Sequence, residues 1–373
     1  MKFNVSSKAL QQQLTAVSKV INTKNALSIL DNFLLKIEGT TLSITGSDQE
    51  NTMTATMEIT DVEGEGTIAV PYKKFLDMLK EIPGQGLTFY INDSTKEVDI
   101  RFLNGHFTFM ALGGDEYPQR VAFEDSVHTF TIPASTILKG LESTIFAAST
   151  ETIRPLMTGI HWDIAEDAIT FVSTDTHKLV RYINNECHPG IVSSFTMPAK
   201  PASILRSILN KDIENVEITM DSKSATFKFD SYSLSCKFIN GNYPNYNRVI
   251  PQNSPFELTI DRVSFLNAMR RVALFASTAS DLVKVNIQSN DVHLSSQDLD
   301  FSTAAEERIT CEYNGNSMSI GFNARYMIEI LSNLGHETIV VNLSDPSRPG
   351  IFRPLKQDEN NELLMLLMPI QLQ

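Results

Sequence analysis

The stretch FNVSSKALQQQLTAVSKVIN, from Phe3, recurs twice, as FTIPASTILKGLESTIFAAS from Phe130 and as LTIDRVSFLNAMRRVALFAS from Leu258. Each copy opens with a short alternating strand and runs into an amphipathic helix. Val5, Ile132 and Ile260 correspond, as do Leu10, Ile137 and Phe265, then Leu14, Leu141 and Met269, at offsets of 127 and 128 residues. A second motif follows the first in every copy: VPYKKFLDML from Val70, MPAKPASILRSIL from Met197 and FNARYMIEIL from Phe322. Its apolar residues fall at helical spacing: Phe75, Leu76 and Leu79; Leu205, Ile208 and Leu209; Met327, Ile328 and Leu331.

A third motif is a strand ending in aspartate, LSITGSD to Asp48, ITFVSTD to Asp175 and VHLSSQD to Asp298. A fourth occurs in two copies only, LGGDEYP (112–118) and INGNYP (239–244). Motifs in constant order at nearly constant offset indicate an internal repeat. Three domains of one α+β fold are expected, at 1–126, 127–253 and 254–373, each with two helices on antiparallel β-sheet. The strands show as period-two stretches such as Val98, Ile100 and Phe102. The repeat permits closure of two chains into a ring of six domains. It is equally compatible with a duplicated domain that assembles no further.

The composition excludes several classes. With 42% hydrophobic and 20% charged residues the chain is an ordinary globular one rather than a disordered one. MKFNVSSKAL has no apolar stretch behind its lysine, unlike a secretory signal, and the apolar run 363–368 is far too short to span a bilayer. Cys187, Cys236 and Cys311 are odd in number and widely spaced, which fits reduced thiols and a cytoplasmic location.

The net charge is −13, yet the expected helices 6–22, 71–82, 134–150, 199–211, 261–277 and 322–334 hold 13 basic and 5 acidic residues. If the helices share a face, it is a cationic surface on an acidic body, suited to phosphates and blind to base sequence. Solubilising lysines on helix surfaces would give the same count.

Chemistry is sparse. There is no GxxxxGK[ST], HExxH or GxSxG, and the seven histidines are scattered without metal-ligand spacing. Neither a metal nor a cofactor is expected. Asp48, Asp175 and Asp298 occupy equivalent places in separate copies, so a turn role is expected for them rather than a joint catalytic one. A binding scaffold is expected, with an enzyme of unknown class and a non-annular adaptor as alternatives.

VSTDTHKLVRY (172–182), GNYPNYNRVIP (241–251) and the terminal MPIQL (368–372) resemble the bacterial DNA sliding clamps, the β subunits of replicative DNA polymerase III holoenzymes. The resemblance covers the whole chain. It implies a homodimeric ring around duplex DNA, with helices lining the hole and sheets on the rim. Such a ring is a non-catalytic processivity factor that a separate ATP-driven loader opens. It also implies a cleft between the second and third domains for short motifs of the replicative polymerase, the clamp loader and repair polymerases. The positions carried over are Met157, Thr174, Thr176, His177, Lys178, Leu179, Pro244, Arg248, Val249, Leu366, Met368, Pro369, Ile370 and Leu372.

Three positions depart from the family pattern at the cleft. Thr176 and Lys178 stand where Gly and Arg are frequent, and Gln371 stands where a cation is frequent; Gln373 is one residue extra. For DNA the resemblance implies Lys24 and Arg154, with Lys200 as a further candidate; Glu151 replaces a frequent amide. For the subunit interface it implies edge strands near 107–111, with Phe107 and Phe109, and near 302–309. Phe275 is the expected apolar anchor there, and Glu306 and Glu307 are expected to face cations of the first domain.

Overall fold

The computed structural model describes residues 1–118, 123 and 126–372. Among them are six α-helices, each entered directly from a β-strand: α1 Ser7–Ser18, α2 Tyr72–Lys80, α3 Ala134–Thr144, α4 Ala199–Ile208, α5 Arg262–Ala273 and α6 Ala324–Asn333. The residue at the hand-over caps several of them. Asp261 Oδ1 accepts the Ser264 amide at 2.7 Å, and Asn323 Oδ1 accepts those of Arg325 and Tyr326 at 3.0 and 3.3 Å. Such caps satisfy amides that the first helical turn leaves unpaired.

The nine residues that match between copies of the first motif are all buried, from 0% to 7% exposed. The repeat is therefore a repeated core. In the second motif the agreement is looser: Ile208 and Ile328 are only half-buried, and Ile204 and Ile330 take the inward positions.

The helices are shorter than their apolar periodicity suggests. Beyond α1 the amides of Lys19, Val20 and Ile21 reach back three residues, to the carbonyls of Ala16, Val17 and Ser18. Beyond α5 those of Leu274, Phe275 and Ala276 do the same, and α3 runs into the 3-10 turn Ile145–Ala147. Apolar spacing continues through such tightened turns, so periodicity alone overruns the helix end.

The chain packs as two compact units. One holds Met1–Ser135 and Lys200–Phe238, the other Thr136–Ala199 and Ile239–Gln373. In the first, strand Tyr232–Lys237 of the second repeat pairs with strand Asn51–Glu58 of the first, completing a nine-stranded sheet beside a separate five-stranded one. In the second, strand Lys178–Asn184 pairs along its length with Asn361–Leu367, completing a twelve-stranded sheet. The apolar run near the C-terminus is thus an interior sheet strand. No helix among the described residues is long and apolar enough to cross a membrane.

Candidate functional site

The best-built candidate site lies in the second unit, on the sheet where Lys178–Asn184 and Asn361–Leu367 pair. Leu179 stands opposite Leu366, and Val172 and Leu364 flank Arg181 from either side. Opposed residues of antiparallel strands share a face. Val172, Leu179, Leu364 and Leu366 accordingly form one buried apolar floor with Ile351 and Ile250, against which Tyr243 and Tyr246 pack. Burying each of these aliphatic side chains stabilises the unit by roughly 1.5–3 kcal/mol.

The segment 243–250 forms a wall. His161 supports it from below: it is 8% exposed, stacks on Tyr243 at 4.4 Å between centroids, and shares a 3.2 Å hydrogen bond with Thr196. Burial pushes the His161 imidazole below its ordinary value, so it is neutral there. The Tyr246 hydroxyl donates to Asp163 at 2.9 Å. Above this support Pro244, Arg248 and Val249 are exposed. Met157 is half-buried in the turn Pro155–Thr158, and Leu156 of the same turn lies against Gly241.

The turn 174–178 closes one end. Asp175 Oδ1 accepts the amides of His177 and Lys178, each at 2.9 Å, and Thr174 Oγ1 donates to the Lys178 carbonyl at 2.7 Å. Asp48 and Asp298 bind the amides two and three residues ahead in the same way, so all three repeated aspartates build turns. Thr176 has φ +79°, in the region that favours glycine. That is the backbone reason why glycine suits this place in the motif.

Lys178, expected in the cleft lining, is buried. Its side chain is 4% exposed; the ammonium lies 2.5 Å from Asp175, 2.9 Å from Glu329 of α6 and 4.5 Å above the Tyr326 ring. Burial alone would lower its pKa, but the bonds to Asp175 and Glu329 outweigh it and hold the value above normal. Through these contacts Lys178 ties the turn to α6. His177 stacks on Tyr326 beside it, at 5.2 Å.

The chain end completes the site. The Met368 amide donates to the His177 carbonyl and the Ile370 amide to the Gly321 carbonyl, both at 2.8 Å. A Cβ at position 321 would meet Ile370 O at 2.7 Å and Leu372 Cδ2 at 2.9 Å, so only glycine lets the tail lie down. Met368 stays 41% exposed beside half-buried Pro369, Ile370 and Leu372. Gln373 lies outside the described residues.

Sequence reasoning missed Val172, Tyr243, Tyr246, Ile250, Ile351 and Leu364 in the floor and wall, and Tyr326 and Glu329 behind the turn. Strand Asn361–Leu367 is buried on both faces over most of its length, so no period-two signal marks which residues face the cleft.

Lys24 and Arg154 are exposed, and among the described residues neither is in an ion pair. Lys200 is different. Its ammonium is 2.5 Å from Asp48 and 2.6 Å from both the Val20 carbonyl and Asn22 Oδ1. It ties α4 to the first repeat. Lys80, Arg271 and Arg325 are likewise paired, with Asp77, Glu307 and Asp281.

Of the strand edges left open among the described residues, two lie where the subunit interface is expected. Gly105–Met110 is the outer strand of the five-stranded sheet. Beside it a groove of about 260 Å³ is lined by Phe75, Met78, Phe107 and Phe109. In Thr303–Tyr313, residues 303–310 pair only with 291–298, and 311–313 alone pair on the other side. Phe275 is 40% and Leu274 82% exposed at the end of α5. Glu307 is paired with Arg271, and Glu306, whose side chain is 72% exposed, lies 3.3 Å from His293.

Comparison with known proteins gives a single answer along the chain. Residues 1–121, 131–245 and 247–371 match the N-terminal, central and C-terminal domain models of the DNA polymerase III beta subunit. The beta sliding clamp of Staphylococcus aureus is 26% identical over 378 residues, covering 98% of either chain. A sliding clamp from Bartonella birtlesii, solved bound to griselimycin, superposes with a TM-score of 0.92 at 26% identity over 100% of both chains. The Bacillus subtilis DNA polymerase sliding clamp does so with 0.92 at 24% over the same span. Three family domains in order, three repeats folded as strand, helix and sheet, and only short joins between them leave one assignment: the chain belongs to the DNA polymerase III beta subunit family, the bacterial DNA sliding clamps.

Proposed function

We propose that two copies of this chain join head to tail into a ring around duplex DNA and hold polymerases through the cleft of the second unit. As a member of its family the chain is a DNA polymerase processivity factor with no reaction of its own. Two of the open strand edges carry the ring reading. One edge belongs to the first repeat and the other to the third, and each lies beside exposed aromatic or aliphatic side chains. Pairing 105–110 of one copy with 303–310 of the other would satisfy both rows of backbone groups. Leu274 and Phe275 would then supply apolar groups of the kind that the Phe107–Phe109 groove accepts. Because the two edges differ, each copy offers both, and two identical contacts close the assembly.

On this reading the domains run 1–126, 127–253 and 254–373, Lys24 and Arg154 meet phosphates, and the location is cytoplasmic. The cleft takes extended peptides of the replicative polymerase, the loader and repair polymerases. Their apolar anchors rest on the floor of Leu179 and Leu366, beside the exposed Met368 and Val249. Methionine adapts to anchors of varied shape.

Topology tests the ring. Loaded onto nicked circular DNA by a clamp loader, the protein is expected to stay bound in high salt and to be lost once the circle is linearised. Loss in high salt from both forms, or a solution mass of one chain, would overturn the proposal, since binding by charge alone is salt-sensitive whatever the topology.

A further inference from the structure

The wall of the cleft rests on a histidine. His161 lies on the strand Gly159–Ile164, inside the sheet, with Val172 opposite it on one side and Thr196 on the other. Its ring lies flat under Tyr243, 9° from parallel, with centroids 4.4 Å apart, and 6.3 Å from the Tyr246 ring. Nδ1 shares a 3.2 Å hydrogen bond with Thr196 Oγ1. The two tyrosines pack in turn on the apolar floor, and Pro244, Arg248 and Val249 of the same segment are exposed. How the wall sits over the floor therefore depends on a side chain that can change its charge.

A charge on this ring would be poorly compensated. The residues facing it from the adjoining strands, Val172 and Thr196, are neutral, and burial keeps the hydroxyls of Tyr243 and Tyr246 un-ionised. Asp163, two residues along on the same face, favours the charged ring, but it already accepts from Tyr246. Arg181 shares the face two strands away and is balanced by Glu362, while Arg248 is exposed to water. Burial prevails over Asp163 and the Phe195 carbonyl and holds the imidazole below its ordinary value of 6.5. The ring is neutral at neutral pH and takes a proton only as pH falls through the lowered value. A buried imidazolium then has to regain water. Paired strands hem it in on both sides, so water reaches it when the wall lifts.

We propose that His161 is a positioning residue of the cleft: its neutral ring seats the wall 243–250 for the bound peptide, and its protonation unseats the wall and releases the peptide. This rests on the peptide-binding reading of the same cleft.

The experiment titrates the full chain with a capped peptide of leucine, phenylalanine and glutamine only, which carries no titrating group, and reads anisotropy from pH 8 to pH 5. If only the neutral form is competent, the dissociation constant rises by roughly tenfold for each pH unit below the His161 value. In His161→Phe, which keeps a ring under Tyr243, that rise is expected to be absent, while any effect of His177 persists in both proteins and cancels. Histidine NMR of the unaltered chain provides a second measurement that needs no variant, with the His161 ring assigned by its proximity to the Tyr243 ring protons. Its midpoint is expected below that of free imidazole, and saturating peptide is expected to move it lower still, because linkage is reciprocal. The same pH slope in a folded His161→Phe protein would overturn the proposal. So would tighter binding in acid, as an attractive imidazolium–tyrosine stack would give, or a His161 midpoint that peptide leaves unmoved or raises. The underlying cleft reading fails differently: peptide binding would then be indifferent to Met368→Ala with Leu372→Ala at every pH.

Discussion

Lys178 shows how a single residue can be diverted by its surroundings. An ammonium that is 4% exposed is tolerable only because Asp175, Glu329 and the Tyr326 ring surround it. Removing one member of such a buried pair leaves an uncompensated charge and typically costs about 3–5 kcal/mol. Glu329 is half exposed and can turn to water, so the lower end of that range applies here. Lys178→Met is expected to lower stability by about 3 kcal/mol in denaturant melts at neutral pH. The sign of its pH dependence follows from the raised pKa. The ion-pair contribution is fully present below the ordinary lysine value of 10.5 and is lost only as pH rises through the higher folded value. The gap between wild type and variant should therefore stay constant through neutral pH and narrow under strongly alkaline conditions. A gap already narrowing at neutral pH would show that Lys178 is not held in this way.

At the scale of elements, the terminal tail is a half-strand with an unfinished surface. Backbone bonds at Met368 and Ile370 fix its path, and Gly321 makes room for it, while Met368 remains exposed over the floor. Fixing the main chain while leaving the side chain adaptable is what a cleft for several different peptides requires. Met368→Ala with Leu372→Ala is expected to leave the solution mass and the fold unchanged and to weaken polymerase-peptide binding by roughly tenfold or more, since each large anchor typically contributes over 1 kcal/mol. Unchanged affinity in a peptide titration would remove the tail from the binding surface. The open edges 105–110 and 303–310 belong to this scale too. A strand edge left without a partner is a standing invitation to another strand, and natural proteins seldom leave one beside aromatic side chains without a use for it.

For the whole molecule the question is how an acidic chain handles a polyanion. The six observed helices carry eleven basic and three acidic residues in a chain of net charge −13. Part of that excess is neutralised inside the protein: Lys200, Lys80, Arg271 and Arg325 are in ion pairs, and Arg262 donates to the carbonyls of Leu331 and His336. Lys8, Lys73, Lys74, Lys139 and Arg206 are in none among the described residues, nor are Lys24 and Arg154. Reversing both of the latter, Lys24→Glu with Arg154→Glu, is expected to impair loading onto DNA and to reduce the salt slope of DNA association. A cation that no longer meets its phosphate lowers the number of released counterions by close to one. Peptide binding in the cleft should be untouched. Loading at the wild-type rate would exclude these two residues from the DNA-binding surface.

The sequence by itself carried the repeat, the strand-to-helix order within it and the family. Those rest on apolar residues such as Val5, Ile132 and Ile260, whose burial is dictated by local periodicity and therefore leaves a mark in one dimension. The turn role of Asp48, Asp175 and Asp298 was legible for the same reason, since each binds amides two or three residues ahead. Only the tertiary structure decided which cations are free and which residues make the cleft floor. Lys200 meets Asp48 across 152 positions of chain, Arg181 meets Glu362 across 181, and the floor draws on strands of two repeats. Pairings over such separations depend on which strand edges join, and nothing in local composition or spacing encodes that.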